Sequence, residues 1–585
     1  MSAERGSPSQ ARARAPSHRL VGWTLAGLLL ATTGLHAASW DDGFYNDDFF
    51  HLAVLEGRLA GVGRLDLFEF TAARPVSSAQ GHLWPWWTSP DLRLRFFRPL
   101  TSVTLWVDHA IHGRWQPGYH VGNLVIWSLF VVVVVLGVRR LCARSGRGAD
   151  AFLVAAACAL ANEAHALPVG WVTDRHALLP MVFVVGALLL HDTHRATRRR
   201  RWLVGASLSA AAALASSESG FAVFVWIAAY ELASRDGWMA RARRVAPYAV
   251  LALAYLATHG ALGYGVDGLA YYADPIGAPA SFLSSALSER LPLLTLGAAT
   301  PLPADLALRV DAPTRALLLA GGWLLFALLG AWVWRRRADR TIAFVGVGVG
   351  MHLLFLCTSE PTDRGASLPV VGVAWLVATA LSDARRKRGP RALSLAVAAL
   401  AVGFALGPVQ VARWQDLFGD ANARRWSEAE RAEWPRGADS AHARVLFLHG
   451  SPDTAAGLVA TRSALGLPKL QAAWLLSMSP VADRLERVGP DSLIVHARPG
   501  ETWLASARER SWMADPSTPL SPGDRFRVGA LRVRIVSPAA LHVSVDRDLD
   551  DPSVYLLAWD GARHRRLAAP PIGEAVHVPV TAAPR

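Results

Sequence analysis

The chain has 585 residues, of which 52% are hydrophobic and only 18% charged. Its mean hydropathy is +0.25. This balance excludes a disordered chain, a collagen-like chain and an ordinary soluble enzyme, and points to a polytopic membrane protein.

The net charge of +14 is unevenly placed. Six short segments, 1–20, 139–150, 191–201, 234–244, 335–340 and 383–391, together carry +20, and the rest of the chain carries −6. Basic excess confined to short loops between apolar runs is the positive-inside pattern. It calls for no nucleic-acid partner.

Residues 1–19 read as a cytoplasmic basic leader (Arg5, Arg12, Arg14, Arg19). The apolar run 20–38 follows. The small residues Ala37-Ala38-Ser39 at its end would suit a signal-peptide cleavage site, but a retained first helix fits the charge alternation. Further apolar runs lie near 120–138, 151–168, 177–191, 202–216, 219–233, 245–263, 316–334, 341–357, 367–382 and 392–412. They predict about eleven spans over residues 20–412. With the N-terminus cytoplasmic, the five internal basic segments fall on the cytoplasmic side. The loops 39–118, 166–176, 216–219, 264–315 and 358–366, and the tail 413–585, fall outside. Cys142, Cys158 and Cys357 form no CxxC or Cys/His zinc pattern.

Chemistry-bearing residues gather on the predicted outer face. Directly after the first run, Trp40 to Leu52 holds Asp41, Asp42, Asp47 and Asp48. Acids beside a membrane surface are candidate catalytic carboxylates, with a divalent metal held by Asp47 and Asp48 if any is used. The plainer alternative is a helix start with first-turn acids facing the dipole. Residues Trp84, Trp86 and Trp87 read as interfacial anchors. The segment 96–112 places Phe96, Phe97, Leu100, Val103, Thr104, Val107 and Ile111 on one face of a helix lying along the surface. Arg98 beside Pro99 could meet an anion at its start. His120, Asn123, Glu163, His165, Asp174, Arg175, Glu218, Glu360, Asp363 and Arg364 lie at the outer ends of runs. A bundle could gather these into one polar cavity in which Arg and His face a phosphate.

The tail begins with a polar helix, Trp414 to Trp434. Strand-like runs follow at Arg444–His449, Ser492–His496, Phe526–Val536 and Leu541–Val545. They predict a small soluble α+β or β-rich extracytoplasmic domain, 413–585. His449-Gly-Ser-Pro is no nucleophile elbow, since GxSxG is absent.

The order Asn46-Asp-Asp48, Phe97-Arg-Pro-Leu100, Gly118-Tyr-His-x-x-Asn123, His165…Trp171-Val-x-x-Arg175, Glu218 and Asp363-Arg364…Leu368-Pro369 resembles the membrane part of GT-C glycosyltransferases. It is most similar to the transmembrane-and-TPR O-mannosyltransferase type and its bacterial relatives. The loop Glu289-Arg290-Leu-Pro…Leu306 is similar to that family's loop with a surface helix. The resemblance implies a polyprenyl-phosphate sugar as donor, an unknown acceptor, and transfer on the extracytoplasmic face of a bacterial-type inner membrane. It makes Asp47 and Asp48 the acidic pair, one of them the base. Arg98, His120, His165, Arg175 and Arg364 become donor-phosphate or pocket residues, and Glu218 a pocket acid. The chain departs from the pattern at Leu167 and Ser217 and in having no TPR repeats. A transporter or flippase of a lipid-linked saccharide, and a non-catalytic assembly protein, are the rival readings; no internal repeat favours the transporter.

Overall fold

The computed structural model describes residues 16–59, 62–71, 84–89, 92–269, 271–308, 310–388, 390–450, 457–479, 481–504 and 519–578. Arg5, Arg12 and Arg14 of the leader lie outside them.

Each apolar run of the sequence falls on helix. In chain order the helices are α1 (His18–His36), α2 (Asp47–Leu55), α3 (Pro99–His112), α4 (Gln116–Ser145), α5 (Ala149–Leu160) and α6 (Ala166–Gly170). Then come α7 (Arg175–Thr197), α8 (Arg200–Ser216), α9 (Ala222–Leu232), α10 (Trp238–Ala261), α11 (Pro279–Ser285) and α12 (Leu291–Ala299). The last are α13 (Ala312–Arg335), α14 (Arg340–Leu356), α15 (Ser367–Arg388), α16 (Pro390–Arg431) and α17 (Leu458–Ala464). Capping residues set several starts. Ser17 accepts from Leu20 N, Asp311 from Thr314 N, and Asp339 from Thr341 N and Ile342 N.

Five helices among the described residues are long and apolar enough to cross a membrane: α1, α4, α7, α13 and α15. Counting α5 with the segment Glu163–Gly170, bent by 47° at the break, makes six. The count of about eleven expected from the sequence is not confirmed, and three of the runs are short. Helices α8 and α14 have 17 residues, about 26 Å, and α9 has 11, about 17 Å, against about 30 Å of hydrocarbon. Helix α16 runs unbroken for 42 residues, so the last apolar run and the polar helix expected after it are one element.

At the end of the bundle that carries the basic loops, arginines meet buried acids. Asp192 of α7 pairs with Arg140 (2.5 Å) and Arg144 of α4, and accepts from Tyr230. Glu231 of α9 takes Arg195 at 3.3 Å, Arg244 at 2.8 Å and His191 at 3.0 Å.

Helix α3 turns a mixed stripe inward: Thr101, Ser102, Leu105 and Asp108 are buried, while Val107 and Ile111 are exposed. Of the apolar face read from the sequence, Val107 and Ile111 are exposed, Phe97, Leu100, Val103 and Thr104 are half-buried, and Phe96 is buried.

The tail builds two sheets. Strands β4 (Arg444–His449), β5 (Ala472–Leu475) and β11 (Val554–Trp559) run parallel, with β12 (His564–Leu567) antiparallel at the edge. The short β1 (Trp84–Pro85) comes from the first outer loop and pairs with β5, Trp84 opposite Trp474. The second sheet is antiparallel, in the order β13-β6-β7-β10-β9-β8. Its strands are β6 (Ala482–Gly489), β7 (Ser492–Ala497), β8 (Arg525–Val528), β9 (Leu531–Ser537), β10 (Ala540–Ser544) and β13 (Ala575–His577). The strands β2 (Arg93–Arg95) and β3 (Gly265–Asp267) join two outer loops.

Trp86 and Trp87 are not interfacial anchors. Both are buried in the core the two sheets share with Leu446, Trp474 and Leu541, and Trp86 Nε1 donates to Leu476 O at 2.9 Å. The first outer loop is thereby part of the tail's core. A second tie runs through α17, whose Ala460 and Ala464 pack with Phe49, Leu52 and Val54 of α2. Arg114 Nη1 also donates to Ala464 O at 2.9 Å. The short helix bearing the acidic pair is held between the bundle and the tail.

Candidate active site

The start of α2 is shaped by Asn46, whose φ is positive at 46°. The turn brings Asp47 and Asp48 into the first turn of the helix. Asp48 points inward. Its Oδ1 accepts from Thr173 N at 2.7 Å and from Thr173 Oγ1, and its Oδ2 accepts from Tyr45 N at 2.8 Å. Trp171 Nε1 adds a bond to Tyr45 O at 3.0 Å. Both oxygens of Asp48 are thus taken up in fastening α2 to the 171–174 turn. Burial pushes its carboxyl up to about 7, while these hydrogen bonds hold it down.

Asp47 is different. Its side chain is half-buried and carries no hydrogen bond to the described residues. Burial raises its pKa to about 6; the charges of Arg364, Arg425 and Arg98 pull it down, and Asp174 adds to the rise. A carboxylate with free oxygens, poised near neutral pH among three guanidinium groups, is suited to general-base work.

Two of those arginines line a cavity of about 490 Å³, walled in part by Arg98, His176, Glu218, Tyr272, Glu360 and Arg364. Arg98 Nε donates to Glu218 Oε2 at 2.8 Å, and Phe97 N donates to Oε1 at 3.1 Å. The Arg98 guanidinium also lies over Phe96 (4.1 Å) and Phe68 (4.8 Å). Arg364 Nη2 donates to Tyr271 OH at 3.1 Å and Nη1 lies 3.9 Å from Asp174 Oδ1. Glu218 therefore fixes one arginine and leaves the other more lightly held. The cavity sits at the helix ends opposite the basic loops; α7 alone separates the two ends by about 35 Å.

The remaining residues singled out in the sequence do not line this cavity. His120 Nε2 is 3.0 Å from Gly43 O. His165 is fully buried, with Nε2 2.7 Å from Ala159 O, Nδ1 3.2 Å from Ser367 Oγ, and its ring 5.0 Å from Trp127. Arg175 donates to Asn123 Oδ1 at 2.7 Å and Tyr119 O at 3.0 Å, and pairs with Asp108 at 2.5 Å. His120 ties α4 to the loop before α2, and His165 and Arg175 join helical segments to one another. The structure brings together Arg98, Glu218 and Arg364, with Asp47 in their field.

Asp174, one of the polar residues expected at the outer helix ends, and His176, which the sequence reading passed over, belong to the same neighbourhood. Asp174 is fully buried, neither oxygen has a hydrogen-bond partner, and His176 Nε2 lies 3.6 Å away. Among the described residues no group of three or more His, Cys, Asp or Glu is placed to hold a metal. The Asp47–Asp48 pair fits one poorly, because a cation on Asp48 would compete with three donors already bound there.

No protein-family model and no curated protein sequence matches the chain. Among solved structures it is similar to ArnT from Cupriavidus metallidurans bound to undecaprenyl phosphate, at 14% identity and TM-score 0.43, over 78% of this chain and 86% of that one. It is similar to the apo oligosaccharyltransferase of Archaeoglobus fulgidus, at 11% identity and TM-score 0.43, over 76% of this chain and 64% of that one. It is also similar to the mycobacterial arabinofuranosyltransferase AftD, at 13% identity and TM-score 0.38, over 91% of this chain and 42% of that one. At such identities and TM-scores none of them carries residue roles to this chain.

Proposed function

We propose that this chain is a membrane glycosyltransferase that moves a sugar from a polyprenyl-phosphate donor to an acceptor hydroxyl on the extracytoplasmic face. The observation that carries the reading is Asp47, a carboxylate with no hydrogen bond to the described residues, in the field of the two arginines that line the cavity. Asp47 takes the proton from the acceptor hydroxyl as its oxygen attacks the anomeric carbon. The bond from that carbon to the phosphate oxygen breaks, and the electron pair leaves with the polyprenyl phosphate. Attack opposite the leaving group inverts the carbon. Arg364 and Arg98 offset the charge that builds on the departing phosphate. Asp48 holds α2 in place and with it the position of Asp47 in the field of the arginines.

The test is Asp47→Asn in purified, membrane-reconstituted protein supplied with polyprenyl-phosphate sugars and an envelope acceptor extract. Release of polyprenyl phosphate should fall by about 10²–10⁴-fold with the unfolding temperature preserved. Full turnover in that variant removes Asp47 from the reaction. In a strain lacking the protein, untransferred donor collecting on the outer face supports transfer, and donor trapped on the inner face supports a flippase.

A further inference from the structure

A second cavity, of about 450 Å³, opens at the other end of the bundle, among the basic loops. Its deep wall is apolar, formed by residues such as Val134, Val138, Val185, Leu188, Trp226 and Val371. Its mouth holds five arginines (Arg140, Arg144, Arg195, Arg235 and Arg340) against two acids, Asp192 and Asp236.

The acids are already engaged. Asp192 pairs with Arg140 and Arg144, and Asp236 with Arg195 and with Arg244 at 2.7 Å. Arg235 and Arg340 have no ion pair or hydrogen bond among the described residues. The buried Ser234 hydroxyl lines the same cavity without a hydrogen-bond partner among the described residues. The mouth thus offers two uncommitted cations and an uncommitted hydroxyl donor. From Arg144 back to Val134 the cavity follows α4 for about 15 Å, half the depth of a hydrocarbon core. A small soluble anion would leave that apolar wall empty. A ligand with a phosphate at one end and a hydrocarbon chain at the other satisfies both halves.

We infer that this cavity binds an anionic membrane phospholipid, with its phosphate at Arg235, Arg340 and Ser234 and an acyl chain along α4 and α7. Basic pockets between spans on the cytoplasmic side recognise acidic headgroups in this way. The site is remote from Asp47 and does not depend on the transfer reaction.

The test is native mass spectrometry of the full chain released from nanodiscs of equimolar phosphatidylglycerol and phosphatidylcholine. The wild-type chain should retain phosphatidylglycerol selectively. The Arg235→Gln/Arg340→Gln double variant should retain about 30-fold less, the loss expected for two headgroup-facing arginines. Leu188→Trp, which fills the apolar wall but keeps every arginine, should also lose the lipid, and serves if the double variant misfolds. Equal retention of both lipids, or unchanged retention in the variants, overturns the inference. So does displacement by millimolar inorganic phosphate, which would make the site one for a free anion.

Discussion

Replacing Arg364 tests both halves of the proposed chemistry at once. Asp47 titrates near 6, and Arg364 is the largest of the three charges that hold it down. As a base, Asp47 must be ionised, so transfer should rise with pH through about 6. Removing one nearby cation raises a carboxyl by about one unit. In Arg364→Gln the acid limb should therefore move to about pH 7. At pH 5.5 the ionised fraction then drops from about a quarter to about 3%, roughly an eightfold loss, while at pH 8 the same shift costs under about 10%. Any larger loss at pH 8 measures the missing contact to the donor phosphate. Asp174→Asn removes a negative neighbour and should move the limb the opposite way. The assay is polyprenyl-phosphate release across pH 4.5–8.5 by reconstituted protein. A limb that stays put in Arg364→Gln refutes Asp47 as the titrating base.

Asp48 holds its proton more tightly folded than unfolded, with a pKa of about 7 against 3.8, so its contribution to stability is present at pH 4 and lost as pH rises through 7. The unfolding temperature of the wild type relative to Asp48→Asn should accordingly rise on acidification from pH 7.5 to 5; a fall contradicts the assignment. Trp86→Ala should cost about 3–5 kcal/mol and expose the first outer loop to limited proteolysis, because it removes a fully buried indole and its bond to Leu476. An unchanged digest would mean that the loop is not part of the sheet core. His165→Ala should lower stability by about 2 kcal/mol yet leave kcat and KM within about twofold, since its imidazole is buried against Ala159, Ser367 and Trp127 away from the cavity. A selective loss of kcat would return His165 to the reaction.

The apolar runs were legible because hydrophobic stretches and basic loops are local signals, and each run is helical. How many of them cross a membrane was not, because early ends such as those of α8 and α9 and breaks such as the one after α5 shorten some of the elements that hydropathy alone reads as spans. The fate of Trp86 shows a second limit. Its partner strand β5 lies some 390 residues away, and no periodicity in 84–87 encodes that pairing. The two aspartates show a third. Asn46-Asp-Asp48 reads as one acidic pair, yet adjacent residues on a helix point in different directions. One became a fastener to Thr173, and the other carries no hydrogen bond to the described residues and lies in the field of Arg364, Arg425 and Arg98. His120, His165 and Arg175 were visible as polar residues at helix ends; that they bond to backbone and side chains of neighbouring helices is fixed by packing alone.

The central claim is that Asp47 faces the reacting carbon while Arg98 and Arg364 receive the phosphate. A cryo-electron microscopy map of the full chain with a non-transferable polyprenyl-phosphate sugar analogue tests it directly. The account predicts phosphate density within hydrogen-bond reach of Arg364 or Arg98, with the anomeric carbon turned toward the Asp47 carboxylate. Phosphate density bound elsewhere, with Asp47 turned away from the sugar, would contradict it.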